Sequence, residues 1–113
     1  MKKSDKKIEQ QIVNALTEVC ETSLKQLSGF EWLTHTVNYK SFPNSLRVYC
    51  VFDTTNKLTE FRKSEHKAKL TKLIQTSLFS VGVDLNKPLQ QIRFDSEEKC
   101  SEEHKGNWSK RLS

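Results

Sequence analysis

Residues 36–54, TVNYKSFPNSLRVYCVFDT, decide the fold of this chain. Leu46, Val48, Cys50 and Phe52 alternate with Arg47, Tyr49, Val51 and Asp53, the period-two signature of a strand with one buried face. Upstream, Phe30 to Tyr39 is rich in aromatic and β-branched residues and lacks helical spacing, which predicts a first strand. Lys40 to Ser45, with Pro43-Asn44 inside, turns the chain between them. The expected unit is an antiparallel hairpin with a longish loop.

Residues 90–96, QQIRFDS, end on the same Phe-Asp-hydroxyl triplet as the hairpin. They predict a third strand at Gln91 to Phe94. Between the two lies a helical stretch from Thr55 to Val81 whose apolar direction changes partway along. Leu58, Phe61 and Ala68 share one side of a continuous wheel, whereas Leu70, Leu73, Ile74, Leu78 and Val81 cluster nearly opposite. A straight helix cannot bury both sets against one sheet, so a break is expected near Arg62 to His66, with Ser64 as a new cap.

Asp5 to Leu27 predicts an amphipathic helix, capped by Ser4 or Asp5 and stopped at Ser28-Gly29. After the third strand, Ser96-Glu97-Glu98 begins a short helix that His104-Lys105-Gly106 finishes. Trp108 would fold back over apolar surface, with residues 1–4 and 109–113 frayed. The order α-β-β-α(broken)-β-α predicts an α+β fold. Its architecture would be two-layer: a small three-stranded mixed sheet with helices mainly on one face, in a single domain spanning 1–113.

Composition narrows the function classes. Of 113 residues, 35% are hydrophobic and 29% charged, so the core must be lean. Six Phe, two Trp and two Tyr still supply enough buried area to argue against disorder. No run approaches the roughly 18 apolar residues of a membrane span, and no secretory signal is evident. Cys20, Cys50 and Cys100 are odd in number and widely spaced, which suits reduced thiols in a cytoplasm.

The net charge of +5 favours polyanionic partners. Arg62, Lys63, Lys67, Lys69 and Lys72, with His66 among them, form a basic helix suited to phosphates. Trp32, Tyr39, Phe42 and Tyr49 would offer stacking surfaces if they point outward from the sheet. Glu97, Glu98, Glu102 and Glu103, with the HKGNWSKRL end beside them, would dock on that same basic helix and compete for its lysines, or on a second subunit.

Three further constellations bear on chemistry. A crossover makes the third strand parallel to the second, so Asp53 and Asp95 should emerge at one sheet edge. They would lie about 5 Å apart in adjacent strands, or about 10 Å with the first strand between. They would there cap helices, or else hold a metal for phosphoryl chemistry. Cys100 and His104 have the spacing of half a zinc site without a second half. No nucleophile motif is present. We therefore expect a non-enzyme without a cofactor or a small-molecule substrate. It would bind nucleic acid through the basic helix, or else act as a protein-interaction or homodimer module through its open sheet face or third-strand edge. A metal-dependent nuclease stands third.

The element order also occurs in type II KH-like RNA-binding modules, although the GxxG clamp of that family is missing. Residues 30–54, FEWLTHTVNYKSFPNSLRVYCVFDT, and 104–112, HKGNWSKRL, resemble a group of small proteobacterial proteins described as Fis family transcriptional regulators. That resemblance implies a DNA-binding regulator, and a helix-turn-helix would be sought at Leu70 to Leu85. It carries over no functional residue.

Overall fold

The computed structural model describes residues 2–113. The fold is α+β, with a three-stranded mixed sheet in the order β1-β2-β3. β1 (Phe30–Thr36) pairs antiparallel with β2 (Arg47–Phe52), which pairs parallel with β3 (Ile92–Ser96). Three helices, α1 (Lys3–Gln26), α2 (Thr55–Lys63) and α3 (His66–Phe79), bury their apolar stripes with one sheet face. Ile12, Leu16 and Val19 of α1, Phe61 of α2 and Ile74 and Leu78 of α3 share a core with Val48, Cys50 and Phe52. Phe52 is fully buried, which contributes about 2–3 kcal/mol. Among the described residues no helix is long and apolar enough to cross a membrane.

The long helix breaks at Ser64, inside the expected window. Ser64 is extended at φ −94°, ψ 165°, and its hydroxyl donates to the Phe61 carbonyl at 2.8 Å and accepts the His66 amide at 3.2 Å. Of the predicted apolar sets, Leu58, Phe61, Leu70, Ile74 and Leu78 are buried, whereas Ala68 and Leu73 stay exposed.

Several boundaries differ from expectation. α1 begins at Lys3, so Ser4 and Asp5 lie within its first turn and cap nothing. Asp5 there complements the positive helix end instead. β1 stops at Thr36 because Asn38 accepts the Lys40 amide and starts a 3-10 turn at Tyr39–Ser41. Gln91 belongs not to β3 but to a one-turn helix, α4 (Pro88–Gln91), with Pro88 in its first turn. The buried Gln91 amide donates to the carbonyls of Pro43 (2.8 Å) and Leu46 (3.2 Å), pinning the hairpin loop beside β3.

The second face of the sheet is half covered. A bulge between Phe30 and Trp32 sends Phe30 to the core, edge-on against Phe52, and Trp32 to the opposite face. There α5 (Glu97–His104) packs on β3 and α6 (Trp108–Arg111) packs on α5, and Val51 of β2 and Cys100 of α5 are both fully buried. Trp108 meets Trp32 edge-to-face at 4.8 Å, and both indole N–H groups donate to Glu97. Residues 109–111, expected to be loose, fall within the α6 turn, which Trp108 anchors to Trp32 of the sheet. At the other end, Lys3 and Ser4 open α1. Residues 80–87 contain no helix, so Leu70 to Leu85 holds no helix-turn-helix.

Candidate nucleic-acid interface

The five cations expected to act together do not converge. At 100° per residue, Lys67 and Lys69 leave α3 on nearly opposite sides. Lys69 turns towards Glu65, at 3.3 Å, and the cleft between α1 and α3. Lys63 and Lys72 are exposed, and among the described residues no acid lies within ion-pair distance of either. Only Arg62 and Lys67 meet, and they meet on Phe94 of β3. Their charged ends lie 5.8 and 5.9 Å from its ring centroid, within cation–π range. Arg62 also donates to the Phe94 carbonyl at 3.2 Å.

This convergence borders an open groove of about 760 Å³ along the free edge of β3. The groove wraps the strand edge: Ile92 and Phe94, with Arg62 and Lys67, line it on the core-side face, and Tyr49 and Arg93 line it on the outer face. Arg93 alternates with Ile92 and Phe94 and therefore emerges on the outer face, beside its register partner Tyr49. Among the described residues none of these three cations is ion-paired with an acid.

Of the four aromatics considered for stacking, Tyr49 alone lines this groove. Trp32 is taken by Trp108. Tyr39 donates to Glu9 and lies 5.6 Å from Phe42, so that pair closes the hairpin loop onto α1. Phe94 and Arg93 were the unrecognised members of the site. The alternation of IRFDS marks them as strand residues on opposite faces. Nothing local in the sequence says that an α2–α3 bend will rest over Phe94.

The acidic segment does not touch the basic helix as expected. Glu97 receives the two indoles, and Glu98 accepts the Thr55 amide at 3.0 Å, at the start of α2. Glu103 receives Arg111 at 2.8 Å. Its carboxyl is held below the usual range mainly by that hydrogen bond. The tail docks on its own chain, but on the sheet and at a helix start.

Asp53 and Asp95 do local work. Each accepts the amide of the next residue, Thr54 at 2.7 Å and Ser96 at 2.9 Å. The hydroxyls of those neighbours then cap α2 and α5 by accepting the Lys57 and Lys99 amides, both at 3.1 Å. The caps are therefore Thr54 and Ser96, and the aspartates brace them. Asp95 stands opposite Val51 rather than Asp53, and its carboxylate is occupied by Arg111. Among the described residues no cluster of three or more His, Cys, Asp or Glu has a metal-binding arrangement. Cys100 is buried, and burial pushes its thiol up. His104, four residues on, turns Nδ1 to Arg111 at 3.1 Å. Comparison with protein families, with curated proteins and with solved structures finds no match to this chain.

Proposed function

We propose that this protein binds nucleic acid in the groove beside β3, as a cytoplasmic, non-enzymatic module. The observation that carries the reading is that three cations without an acid partner among the described residues line one groove at the β3 edge, Arg62 and Lys67 over Phe94 on one sheet face and Arg93 beside Tyr49 on the other. Cations and aromatic rings along one groove suit phosphates, with bases resting on the rings. Three free thiols fit a reducing compartment. The KH-like element order agrees, although Ser64 and Glu65 stand at the bend between α2 and α3, where no glycine clamp exists.

The test is fluorescence anisotropy with a labelled oligonucleotide at two or more salt concentrations. Three phosphate contacts give a slope of log K against log salt of roughly −2 for a single strand. Lys67→Glu should cut affinity about tenfold or more, whereas Lys69→Glu, on the far side of α3, should change it less than about threefold. Equal losses in the two variants would remove the groove from consideration.

A second reading rests on the same edge. Among the described residues β3 has no strand partner on its outer side, and Leu89 beside it is 87% exposed, which suits pairing with a second copy. Sedimentation velocity across a concentration series separates the two. A dimer broken by Leu89→Lys, with salt-insensitive association, would favour this reading over the first.

A further inference from the structure

We propose that α6 is part of the binding site, with Arg111 a positioning residue that sets the electrostatic sign of the groove. This rests on the nucleic-acid reading above and adds a determinant that the basic helix does not contain.

Two carboxylates line the same groove as the three rim cations: Asp95 and Glu103. Asp95 is the nearer threat, because it follows Arg93 by two residues and so shares its face of β3. Left alone, this pair would cancel most of the rim charge where a phosphate must approach. Arg111 engages both. Its Nε and Nη2 grip the two oxygens of Asp95, at 2.5 and 2.9 Å, while Nη1 donates to Glu103 at 2.8 Å. The guanidinium also lies 6.0 Å from the Trp108 ring centroid, and the side chain is only 13% exposed. A planar fork that serves two carboxylates in fixed geometry is arginine's property and not lysine's.

The consequence is a division of labour among cations. Arg111 neutralises the acids from inside the groove, which leaves Arg62, Lys67 and Arg93 to face a polyanion. Arg111 also ties α6 to β3 through Asp95, so a loss of affinity in Arg111→Ala alone would not separate charge from packing. The carboxylates make the separation. Removing them should relieve the charge penalty without restoring any packing.

The experiment measures oligonucleotide affinity and thermal stability for four full-length proteins beside the wild type. Arg111→Ala should weaken binding about tenfold. Arg111→Ala combined with Asp95→Asn and Glu103→Gln should regain affinity to within about threefold of wild type, although its melting temperature stays low. Asp95→Asn with Glu103→Gln in the presence of Arg111 should bind more tightly than wild type, because the arginine is then an extra unpaired cation. This last variant keeps the proposal open to failure even if Arg111→Ala does not fold. A triple variant no tighter than Arg111→Ala, or a double variant no tighter than wild type, overturns the inference. Lys67→Glu is the fourth protein: if it loses binding while the Arg111 series stays flat, the groove stands and only the role of Arg111 falls. If wild type and Lys67→Glu bind alike, both fall together.

Discussion

Gly29 shows how much one position can hold. It sits at φ +82°, its carbonyl accepts the Asp53 amide at 2.8 Å, and a Cβ there would lie 2.7 Å from Cβ of Lys57 and 2.8 Å from Oδ1 of Asp53. Gly82 has nearly the same conformation, φ +83°, with nothing within 4 Å. Gly29→Ala combines left-handed strain with a steric clash at the start of α2, so a loss of roughly 3 kcal/mol is expected. Gly82→Ala meets only the strain, about 1 kcal/mol. Urea unfolding of both variants checks this, and equal losses would mean that the close approach at Gly29 is easily relieved. The glycine was legible as a helix stop, but its contact with a residue 28 positions on was not. The same holds for Arg111. Nothing in SKRLS distinguishes it from Lys110, and its partner Asp95 lies 16 residues away. Local patterns announce caps and turns because those bonds span three or four residues. They are silent on ion pairs made by tertiary packing.

At the scale of elements, rotational phase was the informative signal. The two apolar directions in Thr55 to Val81 could not both face one sheet, and the break appears where they change over, at Ser64. The end of β1 departs from expectation for the opposite reason. Val37 and Tyr39 have strand propensity, but Asn38 offers the backbone a competing bond, and Tyr39 finds Glu9. The starts of α2 and α5 illustrate coupling that single-element reasoning cannot supply. Thr54 and Ser96 cap them separately, while Thr55 Oγ1 lies 3.1 Å from Ser96 Oγ and the Glu98 amide donates to the Asp53 carbonyl at 3.2 Å. Thr54→Ala and Ser96→Ala should each cost about 1 kcal/mol. In a double-mutant cycle they should depart from additivity by at least about 0.5 kcal/mol. Strict additivity would show that the two helix starts are independent.

Over the whole molecule, the charge asymmetry read from the sequence is real but rearranged. The acids of the tail are met by Lys99, Arg111 and two indoles, and the basic side faces the groove with only part of its lysines. Acid should act on a separate joint. Glu9 on α1 accepts from His35 of β1 and from the Tyr39 hydroxyl, tying the long helix to the hairpin. Burial alone would raise its carboxyl, but the Tyr39 and His35 bonds outweigh burial and leave it below the ordinary value of 4.5. A lowered folded-state value means that this stabilisation is complete above the unfolded value near 4.5 and fades as pH falls through the folded one. Melting temperatures of wild type should therefore exceed those of Glu9→Gln at pH 7, with the gap closing below about pH 4.5. A gap that persists into strong acid would assign the effect to shape rather than charge.

The bond from the Thr55 amide to Glu98 spans 43 positions. During synthesis α2 therefore emerges long before the carboxylate that completes its first turn. Until β3 follows, β2 has a neighbour on one side only, and Val51 and Trp32 have no cover. A ribosome must release the chain past Ser96 before the sheet gains its third member, so the stretch from β3 through α6 governs when the nascent protein covers Trp32 and the open side of β2.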